Sequence, residues 1–207
     1  MNSTGFKKIT GYLIVLLIAA GIGIGWAMNG LAADQEEIST DDKTAAIKLK
    51  DELESKRKAV ELDPDNMESW NELEHLLRRT GKLDQAEEAY NKVLSLAEAN
   101  QDKDWQAAAL GNLARIYQTR GDLDKAEEMY RKGLELDKAL GRKEGMAQDY
   151  GNLGIVYEER GDLDKAEELW KKSLGLYQEM GAGQHPDAKI VQQYLDKLAQ
   201  ERSAVAQ

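Results

Sequence analysis

Three decapeptides set 40 residues apart constrain the fold more than any other feature of the chain: GKLDQAEEAY from Gly81, GDLDKAEEMY from Gly121 and GDLDKAEELW from Gly161. The second and third agree at eight of ten positions. Self-similarity at a fixed period marks one supersecondary unit stacked on copies of itself, an architecture that offers extended binding surfaces. Each decapeptide holds the parts of a helical hairpin. Gly81, Gly121 and Gly161 follow helical patterns and suit the left-handed position just past a helix end. Leu83, Leu123 and Leu163 come two residues later as an apolar corner. Asp84, Asp124 and Asp164 are expected to cap the next helix, with Glu87, Glu127 and Glu167 three residues on in the manner of a capping box. Glu88 to Lys92, Glu127 to Arg131, Glu128 to Lys132, Glu167 to Lys171 and Glu168 to Lys172 are acid-to-base pairs at i, i+4. They place these carboxylates on a solvated helix face rather than in a catalytic centre.

Around the decapeptides the pattern is helical throughout. The two prolines of the chain, Pro64 and Pro186, bracket the array as helix breakers. Between them six helices are predicted, over 67–80, 84–98, 104–120, 124–140, 144–160 and 164–180. A helix over 43–62 precedes them with a sparse apolar stripe of Leu49, Leu53 and Val60, and one over 187–201 closes the chain. The expected fold is all-α: an α-solenoid of helical hairpins preceded by a single N-terminal transmembrane helix.

That last element comes from residues 9–33, which carry no charge, and from the strongly apolar stretch 9–28. Twenty helical residues span roughly 30 Å, the hydrocarbon thickness of a bilayer. Lys7 and Lys8 precede the stretch, and Asp34, Glu36 and Glu37 follow it. The positive-inside rule then keeps residues 1–8 cytoplasmic and sends the rest across, with Tyr12 and Trp26 near the two interfaces. A signal peptide is the competing reading, with small residues at Gly30, Ala32 and Ala33 for a cleavage site, although its apolar core is usually only about 7–15 residues. Either way the array is expected outside the cytoplasm, periplasmic in a Gram-negative cell. Gly21 and Gly25 have the small-xxx-small spacing that lets membrane helices approach closely, though glycines are common in such helices in any case. The remaining divisions are a linker over 29–42, a degenerate helix within 43–66, three repeat units over 67–180 and a capping helix and tail over 181–207.

Composition removes several function classes. Beyond residue 33 there are 26 basic and 38 acidic residues, a formal charge of −12 (26 − 38), so a nucleic acid would meet net repulsion. The chain has no Cys, which excludes disulfides, thiolate metal sites and covalent haem motifs. Its two histidines, His75 and His185, are far apart, so neither a metal site nor a nucleophile with a His base is indicated. Asp63, Asp65 and Glu74 lack the central Gly of a calcium loop. No cofactor and no metal are implied, and the chain is read as a non-enzyme.

The repeats resemble the tetratricopeptide family, whose signature asks for an aromatic, then Leu, Gly and Tyr on a first helix, with Ala and an aromatic on a second. Tyr150, Leu153, Gly154, Tyr157, Ala166 and Trp170 are similar to it almost throughout. A unit earlier the series is Leu110, Leu113, Ala114, Tyr117, Ala126 and Tyr130, and before that Trp70, Leu73, Glu74, Leu77, Ala86 and Tyr90. Glu74 departs from the small residue expected where helices approach, and Glu52 and Lys56 depart in the segment upstream. The 40-residue period is longer than the usual 34 and is similar to that of kinesin-light-chain-like adaptors. The resemblance covers about 67–180 and implies a scaffold that binds a protein or peptide partner in a concave groove lined by the first helices.

In such adaptors a ladder of asparagines holds the backbone of an extended peptide, which the amide can do because it donates and accepts at once. Asn112 and Asn152 hold equivalent places here. Bonding within their own hairpins is the alternative. The resemblance extends the groove to Asn71, His75, Arg78, Arg115, Gln118 and Gln148, with Glu68, Ala108 and Glu158 nearby. Gln148 stands where a carboxylate clamp would want Lys, so capture of a C-terminal carboxylate is not expected. The functional expectation is a membrane-anchored extracytoplasmic scaffold. Its alternatives are a secreted accessory or assembly factor and a self-associating structural organiser.

Overall fold

The structure, a computed structural model, describes residues 40–205. The apolar stretch 9–28 and its Gly21 and Gly25 lie outside them. Among the described residues no helix is long and apolar enough to cross a membrane. The described backbone forms eight α-helices: α1 (Thr40–Leu62), α2 (Met67–Arg79), α3 (Leu83–Ala99), α4 (Lys103–Thr119), α5 (Leu123–Leu140), α6 (Lys143–Glu159), α7 (Leu163–Glu179) and α8 (Pro186–Val205). The six array helices lie within one residue of the expected bounds, while α8 runs on to Val205.

A left-handed residue closes a helix every 20 residues: Gly81 (φ 71°), Gln101 (55°), Gly121 (77°), Gly141 (69°), Gly161 (81°) and Gly181 (68°). The decapeptides announce three of these. The others do the same work in the alternate turns of the chain, where Gln101 holds a conformation that costs a non-glycine residue about 1–2 kcal/mol. Past each of these residues the next N–H reaches back five positions to an otherwise orphaned carbonyl, as from Asp122 to Tyr117 O (2.9 Å) and from Arg142 to Asp137 O (2.9 Å).

The helix caps differ from expectation. Asp124 and Asp164 do not cap. Only one residue separates the left-handed glycine from the helix, so the N-caps are Asp122 and Asp162, whose Oδ1 atoms accept from Lys125 N (3.3 Å) and Lys165 N (3.2 Å). Lys82 takes that place a unit earlier. Asp124 and Glu127 turn instead to the following hairpin, where both accept from Arg160, Asp124 at 2.6 Å. Asp164 and Glu167 receive Arg202 of α8, both at 2.5 Å. Burial pushes the Glu127 carboxyl up, but hydrogen bonds from Tyr157, Arg160 and Arg131 outweigh it and hold it down at about 2. The helix pairs Glu127–Arg131 (2.7 Å), Glu128–Lys132 (2.7 Å), Glu167–Lys171 (2.5 Å) and Glu168–Lys172 (2.5 Å) form as expected. Glu128–Lys132 and Glu168–Lys172 are exposed on both sides and contribute little to stability, whereas Glu127 and Glu167 are the shielded partners of their pairs and do not lie on a solvated face.

The chain divides into two compact units within α3, between Ala89 and Tyr90. In the first, α1 buries Leu53 and Val60 and α2 buries Leu73, Leu76 and Leu77. Lys56 of α1 pairs with Glu72 of α2 at 2.8 Å. Asn66 caps α2 by accepting from Ser69 N (3.0 Å), and Trp70 Nε1 donates to Pro64 O (2.8 Å). Glu74 is fully buried, with Arg78 Nε 4.0 Å from its carboxylate.

The second unit has a continuous core. Ala126, Tyr130 and Leu134 of α5 meet Leu153, Val156 and Tyr157 of α6, Leu169 and Trp170 of α7, and Val191 and Leu198 of α8. Trp170 is 1% exposed, stacks on Tyr194 with centroids 4.9 Å apart, and donates through Nε1 to Gly151 O at 3.2 Å. It fits because residue 154 is Gly: a Cβ there would lie 2.3 Å from Trp170 Nε1. One hairpin earlier the corresponding pair is Ala114 and Tyr130. A smaller ring there leaves room for a methyl group.

Candidate functional site

Helices α4 and α6 open successive hairpins, and two adjoining clefts lie along them in the second unit. One, of about 220 Å³, is lined by Ala108, Gly111, Asn112 and Arg115 of α4, by Asp137 and Arg142, and by Gly145, Gln148, Asp149 and Asn152 of α6. The other, of about 280 Å³, shares Arg115, Gln148 and Asn152 and continues past Gly151 and Ile155 to Ser173 and Tyr177 of α7 and to Asp187, Ile190 and Tyr194 of α8.

Four of the expected groove residues, Asn112, Arg115, Gln148 and Asn152, thus line one continuous depression together with Ala108. The side-chain amides of Asn112 and Asn152 are half-buried and make no hydrogen bond among the described residues. Bonding within their own hairpins is therefore absent from the described structure, and each can still donate to and accept from a peptide group. Gln148 donates to Asp187 Oδ2 (3.3 Å), which also accepts from Tyr177 OH (3.3 Å).

The remaining candidates lie elsewhere. Gln118 lines neither cleft; its Nε2 donates to Glu159 (2.8 Å) and its Oε1 accepts from Tyr130 OH (3.2 Å). Glu158 accepts from Lys197 of α8 at 3.1 Å. Asn71, His75 and Arg78, with Glu68, belong to α2 in the first unit. A separate cleft of that unit is lined by Trp70, Leu73 and Leu77 with Arg57 and Glu61, and it includes none of the four.

Two cleft residues carry no signal in the tetratricopeptide signature. Asp137 is 3% exposed and is held by Arg142, whose Nε donates to Oδ1 at 2.9 Å while its Nη1 reaches Asp104 at 2.5 Å. Asp149 is 6% exposed. Burial, with the negative charge of Asp137 adding to it and Arg142 opposing, pushes its carboxyl up to about 8. Helix-interior glycines make space for both side chains. A Cβ at Gly145 would come within 1.7 Å of Asp137 Oδ2, and one at Gly133 within 3.2 Å of Asp149 Oδ2. The clue in the sequence is a comparison between repeats: Val93, Ala97, Trp105 and Ala109 stand one unit earlier than Gly133, Asp137, Gly145 and Asp149.

Residues 66–139 and 150–187 both match the tetratricopeptide repeat family. Among solved structures, BtubC (BKLC) from P. vanneervenii is similar at 24% identity and a TM-score of 0.61 over 75% of this chain. The chain spans 65% of that structure, less than two thirds of its length. A Podosopora anserina protein described as a kinesin light chain with nearly identical TPR-like repeats matches at 15% identity and a TM-score of 0.59, over 96% of this chain and 88% of the other. MamA matches at 19% identity and a TM-score of 0.51, over 82% of this chain and 98% of the other. At these identities the likeness is one of fold. No curated protein matches the chain.

Proposed function

We propose that this chain, a tetratricopeptide-repeat protein, is a scaffold that holds an extended segment of a protein partner along the Asn112–Asn152 depression, anchored in a membrane by residues 9–28 with its repeats outside the cytoplasm. The observation that carries the binding reading is the pair of equivalent asparagines on α4 and α6, their amides uncommitted and facing one cleft. An extended segment has unpaired N–H and C=O groups along its length. An asparagine at each successive hairpin answers them without regard to side chains, which suits a scaffold more than a catalyst. The anchoring part rests on the uncharged stretch and on the lysines before it.

The test is retention of partners. Full-length chain carrying Asn112→Ala and Asn152→Ala is expected to lose its co-purifying partners, with affinity down by about tenfold to a hundredfold for two side chains contributing roughly 1 kcal/mol or somewhat more each. Undiminished retention by a folded double variant moves the binding site elsewhere.

A further inference from the structure

Asp149 is a carboxylate at a position where the preceding hairpin has Ala109. It keeps only 6% of its surface, lines the cleft beside Asn112 and Asn152, and accepts no hydrogen bond among the described residues. Its neighbour Asp137 differs in being held by Arg142. Helix α5 accommodates Asp149 by carrying Gly133 in its interior, where glycine is a poorer helix former than alanine. A buried carboxyl without a partner is itself unfavourable. An arrangement that spends stability twice and returns no hydrogen bond or ion pair among the described residues is the kind found at binding sites.

We propose that Asp149 is the acceptor for a positively charged side chain, lysine or arginine, of the protein segment held in this cleft. The proposal rests on the cleft being the binding site, and it adds what that site selects. A guanidinium or ammonium supplies both the hydrogen bonds and the countercharge that the buried carboxylate lacks. An acidic side chain would have to settle against Asp149 and Asp137 together. The formal charge of −10 on the whole chain favours approach of a basic segment in the same sense. The charged and titratable groups around Asp149 are Asp137 and Tyr130 of α5, Arg142 of the following turn and Arg115 of α4. With its carboxyl at about 8, Asp149 must give up a proton when the cation binds. Affinity for an arginine peptide, whose own charge does not change, is then expected to climb roughly fiftyfold between pH 6 and pH 8.

The probe is a displayed library of random dodecapeptides selected on the full-length chain in detergent micelles, followed by affinity measurement on synthetic copies. Expected are peptides with Lys or Arg enriched at one position. Replacing that residue by Gln should cost about tenfold or more in the wild type and nothing in Asp149→Ala, with Asp149→Asn agreeing. Peptides that depend on Asn112 and Asn152 but show no basic preference would overturn the role of Asp149 and leave the groove standing. Peptides indifferent to all of these substitutions, or the absence of any selected peptide, would overturn the groove reading and this proposal with it.

Discussion

Gly154→Ala is expected to destabilise the protein by about 3 kcal/mol, although it exchanges a helix-breaking residue for the best helix former. The added methyl group would stand 2.3 Å from Trp170 Nε1 and 2.4 Å from Cδ1. Trp170 cannot retreat freely, because it is 1% exposed, stacks on Tyr194 and donates to Gly151 O. Moving it strains the core and breaks a buried hydrogen bond, each costing on the order of 1–3 kcal/mol. Thermal unfolding of the full chain should fall by about 6–12 °C. The preceding hairpin supplies the rescue, since Ala114 and Tyr130 hold the equivalent positions in the same core, with a larger small residue and a smaller ring. Adding Trp170→Tyr to Gly154→Ala should therefore recover part of the loss, with a coupling on the order of 1–3 kcal/mol. Strictly additive costs of the two substitutions would refute this packing account.

Asp149→Ala should stabilise the protein, and increasingly so as the pH rises. The folded-state carboxyl sits at about 8, whereas an unfolded aspartate titrates near 3.9. Between those values the folded protein keeps a proton that the unfolded chain has released. Rising pH therefore works against folding, by about 1.4 kcal/mol per pH unit, up to the folded value and not beyond. The full cost at pH 8.5 is on the order of 5 kcal/mol, and alanine avoids it in a site where Ala109 already packs one hairpin earlier. Denaturant unfolding of wild type and variant should thus show a small difference at pH 5 that widens by several kcal/mol at pH 8.5. A difference independent of pH would mean that Asp149 is ionised and solvated in the folded protein.

The sequence exposes the fold almost entirely because each hairpin repeats its turn chemistry. Gly121 and Gly161 place the helix stops, and Glu128–Lys132 and Glu168–Lys172 place the solvated faces, while Glu127 and Glu167 turn inward to bridge hairpins. The caps escaped by two residues because both Asp122 and Asp124 are competent acceptors, and only the single-residue spacing after the left-handed glycine selects Asp122. Asp124 was then available to Arg160, a contact between hairpins that no local pattern encodes. Asn112 and Asn152 are legible as a pair because they recur at the repeat spacing. Asp137 and Asp149 are hidden for the opposite reason: they break the repeat. A search for what recurs passes over them, whereas alignment of the chain with itself shows Ala97 and Ala109 giving way to acids just where Gly133 and Gly145 clear space.

A photo-crosslinking residue placed at Ala108 tests the binding surface most directly, since Ala108 is exposed and lines the cleft beside Asn112. Glu128, exposed on α5 and paired with Lys132, serves as the outward-facing control. In cells that make the full chain, irradiation should join a discrete protein partner to position 108 and not to position 128, and the adduct should vanish when Asn112→Ala and Asn152→Ala are introduced. Equal adducts at the two positions, or an adduct at 108 that survives loss of both asparagines, would contradict a segment held along this groove.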